Sequence, residues 1–242
     1  MPKPVIVLVH SSSVGPSTWA PVADHLRRGG LDVQVPSMLG FVEAGPPYVR
    51  GYLDACARAV ISVPADRDVV LVGHSNAGLF LPAIAATLAP RHVSLVFADA
   101  SVPERDAQDV QLVPEAILPW LRTIATDGVL PRWTDWWPDD DANALYPNAA
   151  TRTTASAEEP SLPLAFFEES VPVPQRWSER PCAYLLFSEG YRPEAARAAT
   201  YGWPVRTESG EHLHMLVDPA AVAAAIEDLT DALARETTSW QA

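Results

Sequence analysis

Short runs of aliphatic and β-branched residues recur along the chain at Val5–His10, Val33–Pro36, Val69–Val72, Ser94–Asp99, Ala183–Ser188 and Val205–Glu208. Several are apolar at every position. That is the pattern of strands covered on both faces, since a strand with one wet face alternates instead. Between these runs, Trp19–Arg28, Tyr48–Ile61, Leu79–Leu88, Pro193–Thr200 and Ala220–Leu233 place apolar residues at helical spacing. Gly29 and Gly30 form a stop after the first. Pro82, inside the third, is expected to kink or shorten its helix because it lacks the N–H of the helical ladder. Strands alternating with helices predict an α/β fold with a mostly parallel sheet of about six strands flanked by helices.

The rhythm breaks between Pro103 and Arg180. Ten of the 24 prolines and five of the eight tryptophans lie there. A stretch so much longer than an ordinary strand-to-helix connection predicts a lid or binding element. The chain is therefore expected to be one domain, residues 1–242, carrying a helical cap inserted at about 103–180. Its 242 residues suit a single core of ordinary size.

Composition narrows the function classes. Apolar residues make up 48% and charged residues 19%, as in a globular chain. Acidic residues outnumber basic ones 30 to 17, for a formal net charge of -13. Such a charge repels phosphate backbones and anionic lipid surfaces, so neither a nucleic acid nor a membrane is expected as a partner. The opening apolar run ends at His10 after five residues, too short for a signal-peptide core or a membrane span. A cytoplasmic location is the expectation. Cys56 and Cys182 have neither the number nor the spacing of a disulfide framework or a zinc site, and are expected as free thiols.

The chemistry concentrates at LVGHSNAG. A buried strand runs straight into Gly73, His74, Ser75, Asn76, Ala77 and Gly78, and a helix follows. Small residues must flank a serine held out at so sharp a strand-to-helix turn, because strand and helix nearly touch there. Far along the chain, GEHLHMLVDP places His212 on a loop after the last strand, where a base returns over the turn.

With these residues the chain resembles the α/β-hydrolase family over nearly all its length except the cap. VIVLVHSSS with Gly15 and Trp19 is similar to the family's oxyanion strand and loop, and GHSNAG to its nucleophile elbow, with Ala77 at a position usually held by glycine. His212 with Pro219 is similar to its histidine loop. The opening segment most resembles the lidded small esterases and hydroxynitrile lyases, which also carry a hydroxyl residue where Ser11 stands. The sheet is expected to lack the family's first strands, since the chain starts at the oxyanion strand. The resemblance implies that Ser75 is the nucleophile and His212 the base, and that the backbone amides of Ser12 and Asn76 form the oxyanion hole. Ser11 either contacts substrate or caps its own turn. His10 is expected to hold the oxyanion loop, and His74 to be buried packing.

The triad acid is displaced. The family's usual site, three residues past a glycine after the strand Ala183–Ser188, holds Tyr191, which carries no charge at neutral pH. Some members take the acid from the end of the preceding strand, where Asp99 falls. Glu189, or Glu168 and Glu169 in the cap, are the alternatives.

These readings imply a serine hydrolase of a small ester, thioester or lactone, acting through Ser75, His212 and Asp99 and an acyl-enzyme. It needs no cofactor and no metal, and its small-molecule substrate has an apolar acyl group or ring. The cap aromatics, Trp136 and Trp137 among them, either line that substrate's pocket or form the cap's own core. A non-hydrolytic lyase, cyclase or acyltransferase on the same residues, or a non-catalytic binding protein, are the alternative functions. Lys3 is the only lysine, which disfavours the hydroxynitrile lyase reaction.

Overall fold

A computed structural model of the chain describes residues 3–239 apart from 62 and 90. The chain order is β1 (Val5–Val9), α1 (Ala20–Arg28), β2 (Asp32–Gln34), α2 (Tyr48–Val60), β3 (Val69–Ser75), α3 (Ala77–Thr87) and β4 (Val93–Ala100). The segment 103–180 then contributes β5 (Asp109–Gln111), α4 (Leu118–Ile124), α5 (Asp139–Ala144), α6 (Ala149–Ser156), α7 (Leu164–Phe167) and β6 (Ser170–Pro172). The remainder is β7 (Cys182–Leu186), α8 (Arg192–Thr200), β8 (Val205–Thr207), α9 (His214–Val217) and α10 (Pro219–Ser239).

The six strands outside 103–180 form one parallel sheet in the order β2-β1-β3-β4-β7-β8. The six apolar runs are these six strands. Parallel pairing requires each crossover to pass over a face of the sheet, so both faces are covered. The burial divides accordingly: Val5, Val7 and Val9 of β1 point into one apolar layer, Ile6 and Leu8 into the other. The helix α3 continues through Pro82 to Thr87, eleven residues in all, so Pro82 does not shorten it. Cys56 and Cys182 are both buried and not joined in a disulfide, and the Cys182 thiol donates to the Arg180 carbonyl at 3.2 Å. Among the described residues no helix is long and apolar enough to cross a membrane.

Two features of this order position a site. The chain leaves β1 toward β2 on one side and returns to β3 on the other, so the loop after β1 and the turn after β3 open a crevice at the carboxyl ends of adjacent strands. Open parallel sheets bind ligands in such crevices. The segment 103–180 leaves from the carboxyl end of β4 and re-enters at β7, and its only sheet among the described residues is the two-stranded antiparallel pair β5–β6. Glu169 ties it to the core by accepting from the backbone amides of Tyr48 and Val49 at 2.8 and 2.7 Å, which caps the start of α2. The remaining elements are short, with none of its helices longer than the eight residues of α6.

Candidate active site

The turn between β3 and α3 forces Ser75 to φ 58°. A non-glycine residue in this left-handed region is strained, and such strain persists only where the surroundings over-determine it. Here they do. A Cβ on Gly78 would lie 2.2 Å from the carbonyl oxygen of Ser101, and one on Gly73 2.9 Å from the Leu81 side chain. The Ser75 carbonyl accepts from the Ser101 amide at 3.1 Å, and the β3–β4 register shifts between His74 and Ser75. The sequence requires small residues at these positions because strand and helix meet without room for a side chain.

Asp99 is the second strained residue, at φ 44° on the end of β4 and 0% exposed. Its Oδ1 accepts from the amides of Phe187 and Ser188, both at 2.9 Å. Its Oδ2 accepts from the Ser188 hydroxyl at 2.6 Å and lies 2.7 Å from His212 Nδ1. Burial works to raise this carboxyl, but the hydrogen bonds from His212 and Ser188 outweigh it and hold the group below the ordinary aspartate value. Asp99 is thus the carboxylate that fixes His212, and the neighbouring loop is held by the same side chain.

The alternative acids are elsewhere. Glu189, its side chain 81% exposed, pairs with Arg192 on the surface. Glu168 pairs with Arg122, also at the surface, and Glu169 is engaged in capping α2.

His212 is held from three directions. Besides Asp99, its backbone carbonyl accepts from His74 Nε2 at 2.9 Å, which fixes the neutral tautomer of His74 with Nδ1 unprotonated. Burial above all lowers the His74 pKa to about 3. The ring of Tyr191 lies flat on the imidazole, with centroids 4.9 Å apart and planes 5° apart. His214, two residues on, packs against Phe187 instead of entering the site. His10 donates from Nδ1 to the Ser11 carbonyl at 2.7 Å and accepts from the Met38 amide at 3.1 Å, so it holds the loop after β1 as expected. Burial lowers its pKa to about 4.

Ser75 and His212 share one cavity, and the partner of Ser75 Oγ in this structure is the Tyr191 hydroxyl at 3.3 Å. Across the cavity, Asn76 cross-links the loop after β1. Its Oδ1 accepts from the Ser12 amide at 3.1 Å and from the Ser11 hydroxyl at 3.0 Å, while its Nδ2 donates to Ser12 Oγ at 2.7 Å. The Ser12 amide is therefore engaged by Asn76. Ser11 lines the cavity, and its hydroxyl accepts from the Ser13 amide at 3.3 Å within its own turn.

The cavity measures about 170 Å³. A void of about 150 Å³ lined by apolar groups accommodates one benzene ring, so this one suits a single ring or a short acyl chain. Trp133, Trp136, Phe167, Leu112 and Val113 from the segment 103–180 form its apolar wall. Trp137 does not join them: it follows the short helical turn Trp133–Trp136 with extended backbone, stacks on Trp120 at 5.6 Å and is 42% exposed. The Trp133 ring lies 6.0 Å from that of His212. Phe166 turns away into the core against Phe41. Among the described residues no three histidine, cysteine or carboxylate side chains gather in a way that holds a metal.

Sequence reasoning missed three contributors. Ser188 carried no signal. His74 was visible only as a neighbour of Ser75, and Tyr191 only as the residue where an acid was expected.

A sequence profile described as the alpha/beta hydrolase family matches residues 6–225, from within β1 into α10. A carbendazim hydrolyzing esterase from Nocardioides sp. (strain SG-4G) is 34% identical over 119 residues. The matched stretch is 47% of this chain and 48% of that protein, so the chain spans about half the length of this curated relative. Among solved structures, an extracellular alpha/beta-hydrolase from a Paenibacillus species superposes with a TM-score of 0.71 at 17% identity, covering 93% of this chain and 98% of that one. Polyneuridine aldehyde esterase gives 0.69 at 18%, with 95% and 100% covered. At such identities the superpositions speak for the fold, and it is the profile, spanning every strand of the parallel sheet together with the turn that strains Ser75, that places this chain in the alpha/beta hydrolase family.

Proposed function

We propose that the protein is a serine hydrolase acting on a small ester, thioester or lactone whose acyl part is one ring or a short apolar chain. The observation that carries this reading is the Asp99 carboxylate on His212 Nδ1, which leaves Nε2 as the free basic nitrogen in the cavity that holds the strained Ser75. Ser75 attacks the carbonyl carbon as His212 takes its proton. His212 then returns that proton to the leaving group, and water repeats the sequence on the acyl-enzyme. Asp99 fixes the tautomer and stabilises the imidazolium.

The developing oxyanion is received by the amides of Asn76 and Ser12. The Ser12 amide must first be released by Asn76 Oδ1. That exchange is favourable, since a neutral hydrogen bond contributes about 1 kcal/mol and one to a charged oxygen about 1.5–3 kcal/mol. Segment 103–180 serves as the cap: Trp133, Trp136 and Phe167 exclude water from the acyl group, which strengthens the electrostatics of the site. The 34% identity to an esterase over about half the chain agrees with this reading.

Hydrolysis of p-nitrophenyl esters of graded acyl size tests it. Turnover is expected to favour ring and short branched acyl groups over long chains, and to vanish in Ser75→Ala. Trp136→Ala should lower kcat/KM for ring esters about tenfold or more while sparing acetate, a loss consistent with about 1.5–3 kcal/mol for a buried apolar contact. Equal rates on all acyl sizes, or full activity in Ser75→Ala, would refute it.

A further inference from the structure

Tyr191 ends the short helical turn Glu189–Tyr191 after β7, and it lines the cavity. It touches both reacting groups of the proposed chemistry, its ring flat on His212 and its hydroxyl 3.3 Å from Ser75 Oγ, yet that chemistry gives it no task. Burial, more than any other influence, pushes the phenol up to about 12. It is therefore a neutral donor throughout the range in which a histidine acts as base.

Its position relative to the two walls decides what it can meet. The oxyanion donors belong to the loop after β1 and the start of α3, where Asn76 and Ser12 are joined. Tyr191 belongs to the other wall, with His212. In a tetrahedral intermediate on Ser75, the departing heteroatom is two bonds from Oγ, and it must face His212 Nε2 to receive the proton. The Tyr191 hydroxyl, beside the imidazole and within hydrogen-bond reach of Oγ, adjoins that same space.

We propose, on the serine hydrolase reading above, that Tyr191 is a further catalytic residue that donates a hydrogen bond to the departing oxygen, and that the site is built for esters of unactivated alcohols. Between turnovers the phenol holds Ser75 Oγ. On substrate arrival the serine proton passes to His212 Nε2 as the bond from Oγ to carbon forms. The bond from carbon to the departing oxygen then breaks as His212 returns the proton to that oxygen. Tyr191 keeps its own proton, and its hydrogen bond strengthens as charge builds on the departing atom. An activated aryl oxide needs no such help; an alkoxide does.

Tyr191→Phe tests this, because it keeps the ring against His212 and removes only the hydroxyl. kcat/KM is compared for a p-nitrophenyl ester and an ethyl ester of the same acyl group, since that ratio reports the acylation step in which the alcohol departs. The expected loss is within a few-fold on the p-nitrophenyl ester and about ten- to a hundredfold on the ethyl ester, the range for a hydrogen bond to a charged partner. Equal losses on both esters would mean that the hydroxyl only positions Ser75, and no loss on either would mean that it is idle. Each outcome overturns the proposal while leaving the hydrolase reading intact, provided Ser75→Ala is inactive. Turnover that survives Ser75→Ala overturns both.

Discussion

Asp99→Asn is the substitution whose outcome the geometry fixes most tightly. Oδ1 of Asp99 faces two backbone amides, those of Phe187 and Ser188, which can only donate. The carboxamide of an asparagine must therefore keep its oxygen there and turn its NH₂ toward His212 Nδ1 and the Ser188 hydroxyl. An NH₂ group cannot accept. His212 would then present a bare Nδ1 and carry its proton on Nε2, the nitrogen that must accept the proton of Ser75. The hydroxyl of Ser188 can reverse its role at little cost. Asparagine also tolerates the φ of 44° at this position, so the backbone is kept.

The expected result is a folded protein with kcat lower by about four orders of magnitude, as for the loss of a triad acid with geometry preserved, and with KM nearly unchanged. Stability should fall by about 1–3 kcal/mol, because charge-assisted hydrogen bonds become neutral ones. Steady-state hydrolysis of a p-nitrophenyl ester and a urea melt measure both quantities. Glu189→Gln, which alters only a surface pair with Arg192, serves as the control and should remain within a few-fold of the parent. Activity of Asp99→Asn within tenfold of the parent would refute the assignment of the acid.

Two further predictions concern the framework. Gly78→Ala places a Cβ against the Ser101 carbonyl, and should cost about 1–3 kcal/mol together with most of the activity. At Gly190 the nearest such atom is the Ser188 hydroxyl at 4.0 Å, so Gly190→Ala should leave the melting curve almost unmoved. Stability should also be acid-sensitive before the carboxylates titrate. His10 and His74 remain neutral in the fold down to about 4 and about 3, whereas an unfolded imidazole protonates near 6.5. Below pH 6.5 the unfolded chain therefore binds two protons that the native chain refuses. Their contribution is fully present above that pH and is lost as pH falls, at about 1.4 kcal/mol per unit for each histidine. Asp99, with its lowered value, adds a loss of the same sign below about pH 4. Urea melts at pH 7, 6 and 5 should show the decline steepening, and equal midpoints at pH 7 and pH 5 would contradict it.

The parallel sheet was legible because strands buried on both faces must be apolar throughout, and the runs of the four central strands have that character, whereas β8 at the edge is exposed at all three positions. Their ends were less so: β3 continues through His74 to Ser75, because the elbow extends the ladder into polar residues that carry no strand signal. Pro82 does not shorten its helix, which is buried from Ala77 to Ala85, where tertiary packing overrides the cost of one missing hydrogen bond. The segment 103–180 resisted reading because its helices run only four to eight residues, too few for a periodicity to show.

Within the site, Ser75, His212 and Asp99 were legible from motif, chain order and the vacancy at the usual acid position. The network of Asn76 with Ser11 and Ser12 was not. It joins residues more than sixty positions apart, and nothing local marks an asparagine that reaches across a sheet. Trp136 and Trp137 are neighbours in sequence with equal apolar character, and only the direction of a single turn separates the cavity wall from the surface.

The proposed reaction requires that Ser75 be the nucleophile and that His212 activate it. Its most direct measurement is mass spectrometry of the protein after reaction with a fluorophosphonate, on the parent chain, on Ser75→Ala and on His212→Ala. One adduct is expected, on the peptide containing Ser75, absent from Ser75→Ala and formed orders of magnitude more slowly in His212→Ala. An adduct on any other residue, or labelling of His212→Ala at the parent rate, would contradict it.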